Sequence, residues 1–256
     1  MSTGEYRFSH QDTGHGTRYE RMYGLGYFRQ LWEDVERPLL MDVLTEAAAA
    51  SGRELLVDLA CGTGRVSFAA AQVFDRVVGI DVSEQMLEIA RMGEGDGRKP
   101  TFLLRDVQQD GIVDEVVAEL GSATCVTAFR LFTNADGALR RDAAACAYGL
   151  LAEGGSLVVN THMVPRSPVG TLYRLEHWVR ARLGREQRMF NKVLAEEELC
   201  QILEKAGFRE IRVRHYAALP GVPKLWKYFP DGWVLRAEER FGGRLWNQCA
   251  MFTAVK

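Results

Sequence analysis

The stretch Leu55–Gly64, LLVDLACGTG, constrains this chain more than any other. An apolar run ends in an acid and meets a small-residue loop at once. The pattern predicts a buried parallel strand stopping near Ala60, a tight turn, and a helix starting near Arg65. Small residues in such a turn let a ligand approach the backbone closely. The N–H groups that open the helix have no partner within it and point at whatever sits there.

Further strands and helices follow in alternation. Arg76–Ile80, RVVGI, is a short β-branched strand ending at Asp81. A helix over SEQMLEIARMG comes next, with Ser83 as its N-cap and Glu84 suited to the positive helix end. TFLLR (101–105) is a third strand and ends at Asp106. SATCVTAF (122–129) is a fourth and SLVVNTH (156–162) a fifth, with helices near 112–120 and 137–151. Strands separated by helices, at spacings too long for hairpins, make βαβ units and a mainly parallel sheet. Their nearly unbroken apolar character fits helices on both faces. EIRVRHYA alternates instead, with Ile211, Val213 and His215 on one face, so it is a sheet-edge neighbour or an antiparallel strand. A last strand lies near Cys249–Val255. Ahead of the first strand, Leu31, Val35, Leu39, Val43 and Leu44 recur at helical spacing. Pro38 breaks that helix in two or opens its second half.

No repeat and no linker divides the 256 residues, so they read as one domain, 1–256, with three additions. These are an aromatic arm over 1–29, a cap insertion over 163–194 and an aromatic insertion over 219–236. The cap carries a helix from about Thr171 to Leu183, with Leu172, Leu175, Val179 and Leu183 on one face amid many arginines. A net charge of −2 gives no basic footprint for nucleic acid. No run of about 18 apolar residues calls for a membrane span, and the first residues lack the core of a signal peptide. The five cysteines are scattered and never spaced as CxxC. They read as reduced thiols of a cytoplasmic protein, and no metal site is expected. A monomer or homodimer is expected.

In an open parallel sheet, ligands bind beyond the carboxyl ends of the strands. The residues there are Asp58–Gly64, Asp81, Asp106, Phe129 with Arg130, and His162. An acid about 20 residues past a glycine loop suits the two hydroxyls of a ribose, which points to Asp81. A dinucleotide fingerprint would read G-x-G-x-x-G, and a triphosphate loop would read G-x-x-x-x-G-K-[ST]. Neither is present. Asp58, before the turn, would face a pyrophosphate badly but can bind an ammonium, directly or through water.

VDLACGTG, GIDVSEQMLEIAR, LLRDVQQ and LLAEGGSLVV resemble the successive motifs of class I S-adenosylmethionine-dependent methyltransferases. The resemblance covers about residues 54–162, and 196–256 more loosely. It implies a Rossmann-like, doubly wound α/β sheet of seven strands, mostly parallel with the last antiparallel. It implies S-adenosylmethionine as cofactor. Asp58 and the loop Ala60, Cys61, Gly62 to Gly64 would cradle the methionine part. Asp81 would hold the ribose. Val82 and Met86 would pack on the adenine, and Asp106 with Val107 would meet its amino edge. Phe129 would sit beside the sulfonium. Ala60 departs from the glycine that the family often has.

The donor methyl is already activated, so the protein mainly aligns the acceptor and excludes water. His162 is the first candidate for a general base where the acceptor must lose a proton. Arg130 is the candidate clamp for an acceptor carboxylate or phosphate. Asn134 and Asn160 are weaker polar candidates, and Tyr19, Tyr23 and Tyr27 would close the donor pocket. NPPY, the motif of adenine-amino enzymes, is absent where FRLF stands. The three additions suffice to enclose a small molecule, so a small-molecule N-, O- or C-methyltransferase, in secondary metabolism, is the expected function. Two alternatives stay open. In one the chain binds S-adenosylmethionine without transferring methyl; in the other it acts on a protein or RNA, with the arginine-rich cap as docking face.

Overall fold

A computed structural model describes residues 24–93, 95, 98–162, 164–183, 194–219, 228–244 and 246–256. The first helical run comprises α1 (Gly26–Gln30), a π-helical segment (Leu31–Glu36) and α2 (Arg37–Ser51). There follow β1 (Leu56–Leu59), α3 (Arg65–Ala70), β2 (Val77–Asp81), α4 (Glu84–Met92) and β3 (Thr101–Leu104). Then come α5 (Ile112–Leu120), β4 (Ala123–Ala128), α6 (Leu131–Asn134), α7 (Gly137–Leu150) and β5 (Leu151–His162). The remainder is α8 (Pro168–Arg182), α9 (Glu196–Ala206), β6 (Arg209–Tyr216), α10 (Trp233–Phe241) and β7 (Cys249–Val255).

Seven strands form one sheet in the order β3-β2-β1-β4-β5-β7-β6. The pairs from β3 to β5 are parallel. β7 runs antiparallel to both β5 and β6. This is the expected architecture, with the last strand reversed. The order turns back on itself between β1 and β4, which is where an open α/β sheet leaves a crevice. Asp58 of β1 stands there, level with Gly79 of β2 on one side and Thr127 of β4 on the other.

The apolar strands are explained by two cores, one on each face. Val57 and Leu59 join Val78, Ile80 and Val126 under helices α5, α7 and α9. Leu56, next to Val57 in sequence, points the other way with Val77, Cys125 and Val158. That second core is closed by Leu40, Val43 and Leu44 of α2, Val66 and Ala70 of α3, and Trp32 and Val35 of the π segment. Each fully buried leucine of this kind contributes about 1.5–3 kcal/mol. β6, at the edge, keeps the alternating exposure that its sequence predicts. All five cysteines are free thiols.

Three elements differ from expectation. Pro38 opens the second half of the run, one of the two expected readings, and what differs is that the helix runs on without a break. The backbone widens ahead of it, and Arg37 N–H reaches the carbonyl of Trp32, five residues back. Pro38 then sits in the first turn of α2, where its missing N–H is harmless. β5 begins at Leu151 rather than near 156. Leu151 pairs with Ala123 of β4, and residues 152–155 bulge out before Ser156 pairs with Cys125, with Gly154 at φ of 75°. In the cap, Ser167 caps α8 by accepting from Gly170 N–H, but the apolar stripe of α8 does not face a core. Leu172, Leu175, Val179 and Leu183 are all exposed. Short α6 and α10 have no counterpart in the sequence reading. No described helix is long and apolar enough to cross a membrane. Residues 1–23, which hold Tyr19 and Tyr23, lie outside the described residues, as do 184–193 and 220–227.

Candidate active site

The loop after β1 is built from left-handed backbone. Ala60, Gly62 and Gly64 have φ of 54°, 56° and 86°. At Gly64 a Cβ would stand 2.9 Å from the Phe102 ring, so glycine is required by packing as well as by φ. At Gly62 a Cβ would meet nothing within 4 Å, because that face opens on a cleft. Ala60 occupies a glycine-like conformation at a cost of about 1 kcal/mol.

Two acids tie this loop to its neighbours. Asp81 Oδ2 accepts from Gly62 N–H and Oδ1 from Ser83 N–H, both at 2.8 Å. The end of β2 therefore holds the loop after β1, and Cys61 N–H adds a bond to Ile80 O. Asp58 is buried at the crevice. Its oxygens accept from Ser67 Oγ at 2.6 Å and Thr127 Oγ1 at 2.7 Å. Burial outweighs those bonds, and with the nearby Asp81 charge it pushes the Asp58 carboxyl up to about 6. Asp106 Oδ1 accepts from Gln108 N–H at 2.9 Å and so shapes the turn after β3.

Two cavities meet at this edge of the sheet. The larger, with an open volume of about 880 Å³, is walled by Ile80, Val82, Met86, Val107 and Leu131 and bears Asp81 and Asp106. The smaller, about 420 Å³, reaches from Asp58, Cys61 and Thr63 to Trp32, Glu36 and Arg65. Ala60, Gly62, Phe129 and Arg130 line both. Ten of the expected residues thus converge: Asp58, Ala60, Cys61, Gly62, Asp81, Val82, Met86, Asp106, Val107 and Phe129. Arg130 joins them. Gly64 lines neither cavity and acts by shaping the loop.

Two expected residues stand elsewhere. Tyr27 is fully buried in the second core, where its hydroxyl donates to Leu219 O at 2.7 Å and its ring meets Phe229. It braces the α1 segment and does not face the cleft. His162 is likewise not on either cavity wall. Its Nδ1 is buried with no hydrogen-bond partner among the described residues. Burial, helped by the Arg130 charge, drops the imidazole to about 3. A group so reluctant to take a proton is a poor general base at neutral pH, so the expectation for His162 is corrected to a buried neutral imidazole.

The side chain that sequence reasoning missed is Glu36. It is 2% exposed, on the wall of the smaller cavity. Its Oε1 accepts from Tyr216 OH at 2.6 Å and Asn160 Nδ2 at 2.8 Å, and its Oε2 from Arg130 Nη2 at 3.3 Å. Desolvation raises its pKa in spite of these donors. A signal was present: Trp32, Glu36, Leu40 and Val43 share one helical stripe, and an acid on an apolar stripe is costly unless paired. Beside it, the Arg65 guanidinium lies over the Trp32 ring, 4.8 Å from its centre.

Residues 56–155 match the model of a family described as a methyltransferase domain. Over 180 residues the chain is 27% identical to ubiquinone biosynthesis O-methyltransferase of Bordetella avium, covering 69% of this chain and 71% of that one. Over 66 residues it is 39% identical to the putative methyltransferase YqeM of Bacillus subtilis, covering 24% of this chain and 27% of that one. Among solved structures, magnesium protoporphyrin IX methyltransferase of Synechocystis, with bound S-adenosylhomocysteine, has a TM-score of 0.61. That match covers 98% of this chain and all of the other at 18% identity. A possible histamine N-methyltransferase of Thermotoga maritima gives 0.58 at 20% identity, covering 98% and 97%. At these identities the structural likeness is one of fold.

Proposed function

We propose that the chain is a class I S-adenosylmethionine-dependent methyltransferase that methylates an N, O or C atom of a small organic molecule in secondary metabolism, a reading supported by the methyltransferase-domain match over residues 56–155. The observation that carries the acceptor class is the junction of two cavities at Phe129 and Arg130. The larger fits a nucleoside: apolar walls for a base, Asp81 for ribose hydroxyls and Asp106 for an amino edge. Gly62 presents no Cβ to the cleft, so the backbone can lie against the ligand. Asp58 and the Ala60–Gly64 loop suit the amino-acid end. When bound, S-adenosylmethionine supplies a methyl group on a positively charged sulfur, ready for direct displacement.

What this chain adds is alignment and dryness. Phe129 stands where the cavities join, and Trp32 and Val66 wall the smaller one, keeping water from the transfer path. Its small size suits a compact acceptor better than a protein or RNA segment. Arg130 offers that acceptor a cation beside Glu36. The relation to ubiquinone biosynthesis O-methyltransferase supports a biosynthetic small molecule. We further read the chain as one domain in the cytoplasm, as monomer or homodimer, with 1–29, 163–194 and 219–236 covering the acceptor.

The test is donor turnover. The protein is incubated with S-adenosylmethionine and either the small-molecule fraction or the macromolecular fraction of a cell extract, and S-adenosylhomocysteine release is measured. Stimulation by the small-molecule fraction is expected. Stimulation confined to the macromolecular fraction would transfer the reading to a protein or RNA acceptor. Binding without any release would make the chain a donor-binding protein.

A further inference from the structure

The cluster around Glu36 joins four separate parts of the fold at one carboxylate. Glu36 comes from the π segment, Arg130 from the end of β4, Asn160 from β5 and Tyr216 from β6. Glu36 holds Arg130 by two routes. Directly, its Oε2 accepts from the guanidinium at 3.3 Å. Indirectly, its Oε1 accepts from Asn160 Nδ2 at 2.8 Å, while Asn160 Oδ1 accepts from the Arg130 backbone N–H at 2.7 Å. Tyr216 OH donates to Oε1 at 2.6 Å and fixes the carboxylate from behind.

The held residue has an unusual backbone. Arg130 has φ of 62°, a conformation that a residue with a long side chain keeps only when its surroundings impose it. The turn it makes ends β4 and starts α6, and so aims Phe129 and Arg130 at the place where the two cavities meet. The carboxylate is buried, so a change at Glu36 reaches Arg130 without passing through solvent.

We propose that Glu36 is a positioning residue for donor binding: by gripping Arg130 at its guanidinium and, through Asn160, at its backbone, it sets the Phe129–Arg130 turn that both cavities share. This rests on the reading of the larger cavity as the donor site. It assigns a task in donor binding to a side chain 22 residues ahead of Asp58 in sequence, outside the stretch that the methyltransferase model matches.

The test is a double-mutant cycle read by calorimetric titration with S-adenosylhomocysteine, with circular dichroism melts to show that each variant is folded. The variants are Glu36→Gln, Arg130→Ala and the pair. Each single change is expected to weaken binding about tenfold, and the pair about tenfold as well, not the hundredfold of independent sites. A merely structural Glu36 would lower the melting temperature and leave the two losses multiplicative. Wild-type affinity in Glu36→Gln, or a pair near a hundredfold weaker, would overturn the proposal. If Glu36→Gln does not fold, Glu36→Asp keeps the charge on a shorter arm and is run in the same cycle. Wild-type protein that does not bind S-adenosylhomocysteine would sink the donor reading and this proposal together. Wild-type binding with multiplicative losses would sink only the positioning role.

Discussion

Asp58 places a carboxyl with a pKa of about 6 at the crevice between β1 and β4. Above that pH the unliganded protein presents a carboxylate there, and below it a neutral acid. Only the carboxylate attracts an ammonium, and a bound ammonium in turn draws the pKa down. Affinity for S-adenosylhomocysteine is therefore expected to fall as pH drops from 7 to 5, by up to about tenfold per unit below 6. Asp58→Asn should bind weakly throughout and show a flat profile; a sloping profile in that variant would place the titrating group elsewhere. The loop glycines separate two effects that are usually confounded. Gly64→Ala combines a left-handed φ with a Cβ 2.9 Å from Phe102, so it should destabilise by roughly 2–4 kcal/mol in chemical denaturation. Gly62→Ala suffers only from φ and should cost about 1 kcal/mol, with its methyl group intruding on the cleft and weakening the donor. Ala60→Gly, at φ of 54°, should leave stability within about 1 kcal/mol of wild type, because relief of strain offsets the freer unfolded chain.

At the scale of elements, the strands were legible because burial on both faces leaves an unmistakable record in sequence. Leu56 and Val57 are neighbours in the chain and belong to different cores, so no alternation survives in β1. The acids at the carboxyl ends of β1 and β2 and just past β3 were legible because a charge at the end of an apolar run marks where a strand reaches the ligand edge of the sheet. The π segment was not. Its residues carry an ordinary helical period, and the widening is visible only as the five-residue reach from Arg37 to Trp32. α8 misled in the other direction: its leucines repeat as a core-facing stripe would, yet Leu172 and Leu175 are 64% and 56% exposed. The two kinds of stripe make opposite predictions. Leu44→Ala, at a fully buried site of α2, should cost about 2–5 kcal/mol, measured by denaturant unfolding. Leu175→Ser should change stability by less than about 0.5 kcal/mol. A large loss at Leu175 would mean that something covers that face in solution.

At the scale of the whole molecule, the donor half of the site was readable and the acceptor half was not, for a reason of sequence distance. Asp58, Asp81 and Asp106 follow successive strands, so spacing alone lines them up. Glu36 and Tyr216 are 180 residues apart and meet only because the π segment and β6 both border the second core. No local pattern announces such a pair. His162 shows the converse error: its place at the end of β5 is legible, but position along a strand does not reveal whether a side chain faces the cleft or the interior. Ligand linkage gives a test of the assembled site. At a concentration of 100 times its Kd, S-adenosylhomocysteine should add about 2.7 kcal/mol to the unfolding free energy and raise the melting temperature accordingly. Adenosine, lacking the amino-acid end, should raise it less.

The reversed strand β7 has a consequence for how the protein is made. It lies between β5 and β6, so those two never touch each other across the sheet, and both depend on a segment synthesised after them. Until Cys249–Val255 leaves the ribosome, β5 offers a bare hydrogen-bonding edge from Ser156 to His162, apolar from Leu157 to Val159. Such an edge invites pairing with other nascent chains. Slowed translation ahead of β7, or too little chaperone, is expected to show up as insoluble protein at synthesis, while the finished fold keeps that edge sealed.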